Sequence, residues 1–304
     1  MKKIIIQFVG ISASLFSFFL FYSCKEIPPI INTQCGNGTT GTFTDSITTS
    51  QKNVLLEDFT GVRCVNCPYA HDEAKNISEV LHPGRVNVVA LHSDASFFAV
   101  PIPTYSHQSF LTTEAQSINN YIGPTTSYPM GAVDRKQITG SFPAAVIYQN
   151  WSAQVASALA DNLEVNLTIA LGFDSTTRQL SVKVRANYTV TQDTANRITV
   201  LICENNIIDA QLIPAGAFPC QVNTGLGVCD TCYQQDNVLR KSLSSATGDD
   251  IALPISAGDE KIFFYNVTLP ANWVAKNCKV VAFVSENRVV SKHVLQSVQL
   301  NLPQ

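Results

Sequence analysis

The segment that decides the fold runs from Val54 to Pro68 and reads VLLEDFTGVRCVNCP. Its first six residues predict a buried strand, and the apolar spacing that follows predicts a helix from Cys64 to Leu81. A second apolar run, VNVVAL at residues 86–91, predicts another buried strand. A strand, a helix and a parallel strand make a right-handed βαβ unit, so we expect an α/β domain here.

Three further elements complete this predicted domain. They are a helix at Thr113–Tyr121, a strand at Met130–Asp134 and an Ala-rich helix from Phe142 to Leu163. Beyond about residue 162 the pattern changes, because apolar and polar residues alternate strictly between Leu180 and Val190, the period of a half-buried strand. Similar runs occur at residues 165–173, 198–204, 261–269, 279–285 and 293–300. These strands predict an antiparallel sandwich over residues 163–304.

The pair Cys64 and Cys67 is the clearest chemical motif of the sequence. A C-x-x-C pair at the start of a helix is typical of redox sites, because unpaired amide groups and the helix dipole stabilise a thiolate. We therefore expect Cys64, beside Arg63, to act as the nucleophile and Cys67 to resolve the mixed disulfide. The alternatives are a purely structural disulfide and a zinc site, for which His71 is the only near candidate ligand.

Two acidic residues precede the cysteine pair. Asp58 lies six residues before Cys64 and is followed by Phe59, a spacing also found in thioredoxins. A carboxyl group buried beneath the disulfide has a raised pKa and can exchange a proton with Cys67. Glu57 is the competing candidate, since successive strand residues point to opposite faces, and a solvated strand end is the alternative for either residue.

Pro129 stands directly before the strand predicted at Met130–Asp134. In the thioredoxin fold a cis-proline at this place lies opposite the cysteine pair and exposes the preceding backbone to an extended substrate. We expect Pro129 to act as a substrate clamp, with an ordinary trans proline as the alternative. The expected fold class is thus an α/β thioredoxin-like N-terminal domain, residues 53–162, followed by an all-β antiparallel sandwich-like C-terminal domain, residues 163–304.

The N-terminus carries an export pattern. Two lysines precede an apolar run from Ile4 to Tyr22, and a small serine stands before Cys24. This pattern predicts a lipoprotein signal peptide over residues 1–23 and a lipid anchor on Cys24. An uncleaved anchor is the alternative, since about 19 apolar residues can just span a bilayer. Residues 24–52, which contain many threonines, predict a flexible tether.

The charge balance excludes one class of partner. Without residues 1–23 the chain has 18 basic against 23 acidic residues, a net charge of −5. This surface offers no basic field for phosphates, so we expect no nucleic-acid partner. The expected partners are exported or surface proteins and, through the lipid on Cys24, the membrane. The expected location is the cell envelope, at the periplasmic or surface face of the outer membrane.

Eight cysteines remain once Cys24 is set aside, and an even number in an oxidising compartment favours disulfides. Three of them crowd one predicted loop: Cys220, Cys229 and Cys232. We expect a structural disulfide between the first of these and one of the other two, with a zinc site as the alternative. Cys203 and Cys278 lie on or beside predicted strands, either bonded or as buried apolar residues. The five histidines show no metal-site spacing, so neither metal nor cofactor is expected.

Three stretches together resemble one known family: VLLEDFTG at residues 54–61, CVNCP at 64–68 and YPMGAVDR at 128–135. They look like the lipoproteins related to outer membrane protein 28, and the similarity continues in NVLR at 237–240 and VVAFV at 280–284. The resemblance implies a thioredoxin-like domain and a β-rich domain in the envelope. We expect thiol–disulfide exchange on exported proteins. The alternative is a surface interaction or adhesion protein that uses the thioredoxin-like fold as a non-catalytic scaffold.

Overall fold

The computed structural model describes residues 43–125, 127–137, 144–214, 216 and 220–303. The helices in this part are α1 (Cys67–Lys75), α2 (Thr113–Tyr121) and α3 (Trp151–Ala158), with a π-helical turn at Asn76–Leu81 and 3-10 turns at Tyr148–Asn150 and Ala275–Asn277. The strands are β1 (Asp45–Thr48), β2 (Val54–Thr60), β3 (Val86–His92), β4 (Met130–Val133), β5 (Val165–Asp174), β6 (Gln179–Tyr188), β7 (Asn196–Glu204), β8 (Ile207–Leu212), β9 (Gln221–Thr224), β10 (Gly227–Gln235), β11 (Val238–Ser242), β12 (Asp249–Ile251), β13 (Glu260–Thr268), β14 (Cys278–Glu286) and β15 (Val294–Asn301).

One large sheet joins strands from both halves of the chain. Its order is β15-β14-β7-β11-β3-β2-β4, and β12 pairs with β7. β2 and β3 pair in parallel over their full length, whereas β4 runs antiparallel to β2. On the other side of β3, Val238 of β11 pairs with Ala90 in parallel, and β7, β14 and β15 extend the sheet from there.

The expected α/β thioredoxin-like N-terminal domain is therefore wrong. β3 is a central strand, held between β2 and a strand from the C-terminal half, and the described part of the chain is mainly β-sheet with only three short α-helices. Periodicity located the strands but could not pair them, because pairing depends on contacts between residues far apart in sequence. One signal was available: β7 and β14 are buried on nearly every residue, as central strands covered on both faces are.

A smaller antiparallel sheet, in the order β1-β5-β6-β13, packs face to face with part of the large one. Inward residues such as Leu167 and Val184 share a core with Val200 and Val280 of the large sheet. The antiparallel sandwich expected for residues 163–304 therefore fits the structure in part. This sheet also recruits β1 from the end of the expected tether, because Ile47 pairs with β5.

The remaining elements cover the large sheet around β2. α2 packs on one face against Phe59 and Leu91, while α1 and α3 pack on the other face against Val54 and Leu56. A third sheet, in the order β8-β10-β9, lies over the loop that follows β2, where Val62 contacts Leu212. The end of β2 is consequently enclosed between α1 and this three-stranded sheet.

Helix boundaries differ from the expectation. The helix expected from Cys64 starts at Cys67, and the Ala-rich helix expected over residues 142–163 is reduced to α3 and a preceding 3-10 turn. The expected signal peptide, the expected lipidation site Cys24, and Cys35, one of the eight further cysteines, lie outside the described residues. Among the residues that are described, none of the helices has the length and apolar character needed to cross a membrane.

Candidate functional site

Cys64 and Cys67 form a disulfide at the entrance to α1. Cys67 is the first residue of that helix and Pro68 follows it, a position that proline favours because its missing N–H would be unpaired there anyway. Cys64 lies in the preceding turn, where its carbonyl accepts the Cys67 N–H at 3.2 Å. The helix N-terminus thus lies at Cys67, three residues later than the sequence pattern predicts.

The turn that carries Cys64 is clamped from two sides. On one side the Arg63 N–H donates to the carbonyl of Phe98 at 2.9 Å, and on the other the Leu212 N–H donates to the carbonyl of Val62 at 2.7 Å. The side-chain amide of Gln211 also donates to the Cys64 carbonyl at 3.0 Å. As a result Cys64 is only 1% exposed and Cys67 is fully buried.

The two acidic candidates lie in different environments. Glu57 forms a buried, bidentate pair with Arg135, with oxygen–nitrogen distances of 2.6 and 2.8 Å. The guanidinium of Arg135 also lies over the ring of Phe283, 4.8 Å from its centre. Since both carboxylate oxygens of Glu57 accept hydrogen bonds from Arg135, the two residues form a structural ion pair, and Glu57 is not available for proton transfer.

Asp58 points to the opposite face, toward α1. It is 1% exposed, and among the described residues its Oδ1 has no hydrogen-bond partner. Burial disfavours the charged carboxylate and raises the pKa of Asp58 to about 8. His71 lies beside it, with Nε2 at 3.7 Å from Oδ2. Because Cys67 and His71 are four residues apart, they share the side of α1 that faces Asp58.

His71 connects Asp58 to two hydroxyl groups. Its Nε2 lies 2.7 Å from Oγ1 of Thr60, and its Nδ1 lies 2.7 Å from the hydroxyl of Tyr233 on β10. Burial lowers the pKa of His71 to about 4, against a smaller opposing effect of the Asp236 carboxylate, so the imidazole is neutral at neutral pH. His71, Tyr233 and Asp58 all line a polar cavity of about 270 Å³.

Pro129 lies at the same end of β2 as the cysteine loop. β4 begins at Met130, which pairs with Phe59, and the Tyr128–Pro129 peptide bond is cis. The ring of Tyr128 packs against Phe98, with 4.9 Å between their centres, and Phe98 in turn contacts the Cys64 turn. The structure therefore places Asp58, the disulfide and the Pro129 segment at the same end of β2, and leaves Glu57 on the other face of the sheet.

The other cysteines take no part in the Cys64–Cys67 disulfide, although Cys229 packs in one cluster with Val62 and Leu212. Cys220 and Cys232 are bonded to each other, whereas Cys229 between them is buried with a free thiol. Cys203 and Cys278 are buried free thiols on β7 and β14, and burial raises the pKa of each to about 12.

Two groups of potential metal ligands occur in the described residues, and neither suits a cation. One includes Cys220 and Cys232, whose sulfurs are already joined. The other is Asp134, Asp161 and His293. Its two carboxylates already pair with lysines, Asp134 with Lys52 at 2.6 Å and Asp161 with Lys136 at 2.5 Å.

His71 and Tyr233 are members of the site that sequence reasoning missed. His71 entered that reasoning only as a potential zinc ligand, although its spacing of four residues from Cys67 would have placed it on the same helix face. Tyr233 gave no signal, because β10 lies in a region that was expected to be a loop and reaches the site only through tertiary packing.

Comparisons with known proteins agree with the family resemblance. The family model described as outer membrane protein Omp28 matches residues 115–303. A crystal structure of a domain of the outer membrane lipoprotein Omp28 from Porphyromonas gingivalis is 16% identical, covers 47% of this chain and 90% of its own, and has a TM-score of 0.30. No curated protein matches. The predicted location in the outer membrane of the cell envelope is confirmed, whereas neither description mentions a thioredoxin-like domain.

Proposed function

Since the chain belongs to the Omp28 family of outer membrane proteins, we propose that its substrates are exported or surface proteins and that it exchanges disulfides with them through Cys64 and Cys67. The observation that carries this proposal is Asp58. A carboxyl group with an unpartnered oxygen at 1% exposure is costly to bury, and a structural disulfide has no use for it. A disulfide that opens and closes does need such a group, because each opening creates a thiolate that must be protonated.

The reaction transfers two electrons from a substrate dithiol to the Cys64–Cys67 disulfide. A substrate thiolate attacks Sγ of Cys64, the Cys64–Cys67 bond breaks, and Cys67 leaves as a thiolate that takes the proton of Asp58. The second substrate thiol then attacks the mixed disulfide and releases Cys64. The substrate gains a disulfide, both cysteines become thiols, and the two protons come from the substrate thiols. The reverse sequence reduces a substrate.

The 1% exposure of Cys64 sets a condition on this chemistry. Attack on its sulfur requires that one of the two clamping segments, around Phe98 or around Leu212, moves away from the cysteine turn. Small thiols and extended polypeptides need a smaller opening than folded substrates do. We therefore propose that the substrates are unfolded or locally unfolded exported chains.

Trapping with Cys67→Ser tests the proposal. This variant retains Cys64, which can attack a substrate disulfide in the reverse sequence, and it lacks the sulfur that resolves the mixed disulfide, so it should accumulate covalent adducts with exported proteins that reducing agent releases. Cys64→Ser is the matched control and should trap little. The absence of adducts on Cys67→Ser, or a reduction potential of the native pair far below about −300 mV, contradicts an exchange function.

A second function is favoured by the same burial of Cys64. In this alternative the Cys64–Cys67 disulfide is purely structural, and the protein acts as a surface interaction or adhesion protein through other parts of its fold. The potential measurement separates the two, because a fixed structural bond resists reduction by glutathione whereas an exchanging one equilibrates with it.

A further inference from the structure

We infer that the cavity beside α1 is a binding site for an alkylammonium group, the cationic end of a lysine side chain or of a free aliphatic amine. The cavity has a volume of about 270 Å³, and residues of α1, the π-helical turn, β2, β3 and the end of β10 line it. Of the described residues along its walls, none belongs to the cysteine pair or to the Pro129 segment. The inference therefore goes beyond the proposed exchange function and shares only Asp58 with it.

The charges around the cavity favour a cationic ligand. Three carboxylates line it, Asp72, Glu79 and Asp236, against a single lysine, Lys75. No ion pair within the described residues includes any of these four side chains. Three negative charges and one positive charge leave an excess of two negative charges, which attracts cations into the cavity.

Asp58 gives the cavity an acceptor that no protein group uses. Its side chain is 2% exposed and lines the cavity, and within the described part of the chain its Oδ1 has no hydrogen-bond partner. His71 is already engaged, because its two ring nitrogens lie 2.7 Å from the hydroxyl groups of Thr60 and Tyr233. An ammonium group carries three donors and no acceptor, so it complements the open carboxyl oxygen of Asp58 and the carboxylates around it.

The walls of the cavity suit an alkyl amine better than a metal ion. Three apolar side chains lie among the carboxylates: Ala74, Val88 and Ala90. They can cover the methylene groups behind an ammonium group, as apolar surfaces cover the stems of lysine side chains. The carboxylates come from separate elements, and no three potential metal ligands among the described residues of this cavity lie close enough together to hold one ion.

Binding of a cation here should displace the proton of Asp58. At pH 7 most Asp58 carboxyl groups are protonated, because burial raises the pKa of Asp58 to about 8. A cation beside a carboxyl group lowers its pKa by about one to three units. A pKa about two units lower reduces the protonated fraction at pH 7 from about 0.9 to about 0.1, so each bound ammonium group releases about 0.8 proton.

The two other titratable groups beside Asp58 in this cavity should not contribute to that release. Burial lowers the pKa of His71 to about 4, so its imidazole is already neutral at pH 7. Burial, with the nearby carboxylates, raises the pKa of Tyr233, so its hydroxyl stays protonated. The proton count therefore reports on Asp58.

Isothermal titration calorimetry of the full-length protein at pH 7 tests the inference, because measurements in two buffers with different enthalpies of ionisation count the protons released per ligand bound. The probes are n-butylamine, for a free amine, and acetyl-Gly-Lys-Gly-amide, for a lysine side chain. The peptide with Gln in place of Lys is the uncharged control and should release none. We expect about 0.8 proton per bound amine, and the tighter of the two probes identifies the source of the ammonium group. The absence of proton release with both amines overturns the inference, as does equal release with Mg²⁺.

Three variants separate the cavity from the general charge of the surface. Asp58→Asn should bind amines without releasing protons. Glu79→Gln should weaken binding about threefold, whereas Glu73→Gln, the same change of charge on α1 but outside the cavity, should have a much smaller effect. Equal effects of the two glutamate variants, or undiminished proton release by Asp58→Asn, contradict the assignment. Failure of the proposed exchange function gives a different result, since Cys67→Ser would then trap no substrate while amines still displace the proton of Asp58.

Discussion

Replacement of Asp58 by Asn should stabilise the protein, and by an amount that depends on pH. The pKa of Asp58 is about 8 in the folded protein, against an ordinary value of 3.8. Below pH 4 the Asp58 carboxyl group is protonated in both the folded and the unfolded chain, so its ionisation does not lower the free energy of unfolding. Between pH 4 and 8 the unfolded chain releases the proton and the folded protein keeps it, so the native protein loses stability as the pH rises.

The magnitude follows from the difference in pKa. Each unit corresponds to about 1.4 kcal/mol, so the accumulated cost reaches roughly 4 kcal/mol at pH 7 and levels off near pH 8. Asn has the shape of a protonated Asp and cannot ionise, so Asp58→Asn removes this cost. We expect the variant and the native protein to have equal free energies of unfolding at pH 4, and the variant to be more stable by roughly 4 kcal/mol at pH 7.

Urea denaturation between pH 4 and pH 8.5, with the disulfides intact, measures this difference. Glu57→Gln is the matched control on the neighbouring residue. It leaves the buried guanidinium of Arg135 without its carboxylate and should destabilise the protein by roughly 3 to 5 kcal/mol. The reasoning about Asp58 fails if the advantage of Asp58→Asn is the same at pH 4 and pH 8, or if that variant is the less stable protein throughout.

Two further predictions concern packing. Gly61→Ala should destabilise the fold by about 1 to 3 kcal/mol in thermal unfolding, because its Cβ would overlap the carbonyl oxygen of Phe98. Gly225→Ala meets no atom within 4 Å and should change the stability little. Equal effects of the two changes would contradict the close approach at Gly61. The thiols of Cys203 and Cys278 should react with iodoacetamide about 1,000-fold more slowly in the folded than in the urea-unfolded protein, because burial raises both pKa values. Rapid labelling of the folded protein would show that these strands open.

The sequence alone predicted the individual strands better than their arrangement. The apolar runs at β2 and β3 and the alternation at β6 each reflect the burial of a strand, which is a local property that periodicity records. The pairing of β3 with β11 depends on residues nearly 150 positions apart, and no local pattern encodes it. The same limit explains why β10, which helps close the site, was expected to be a loop, and why no strand was predicted at β8.

For the candidate site, too, the sequence predicts what depends on local pattern and not what depends on tertiary contacts. The cysteine pair, Pro129 and an acidic residue at position 57 or 58 could be identified from spacing, because they lie on or next to strands that periodicity locates. The choice between Glu57 and Asp58 could not be made, since alternation only says that they face opposite sides. In the structure Arg135 forms an ion pair with Glu57, which leaves Asp58 as the acidic candidate. Arg135 reaches this position through a turn in which both Asp134 and Arg135 have positive φ angles.

The three-stranded sheet β8-β10-β9 makes the site depend on both halves of the chain, as two separate domains would not. The disulfide and Asp58 come from the N-terminal half, yet Leu212 and Gln211 that clamp the cysteine turn, and Tyr233 that is hydrogen-bonded to His71, come from β8 and β10 of the C-terminal half. Any motion that uncovers Cys64 on the β8 side therefore also displaces the sheet that carries Tyr233. An opening of this sheet that admits a thiol to Cys64 therefore also disturbs the hydrogen bond between Tyr233 and His71 beside Asp58.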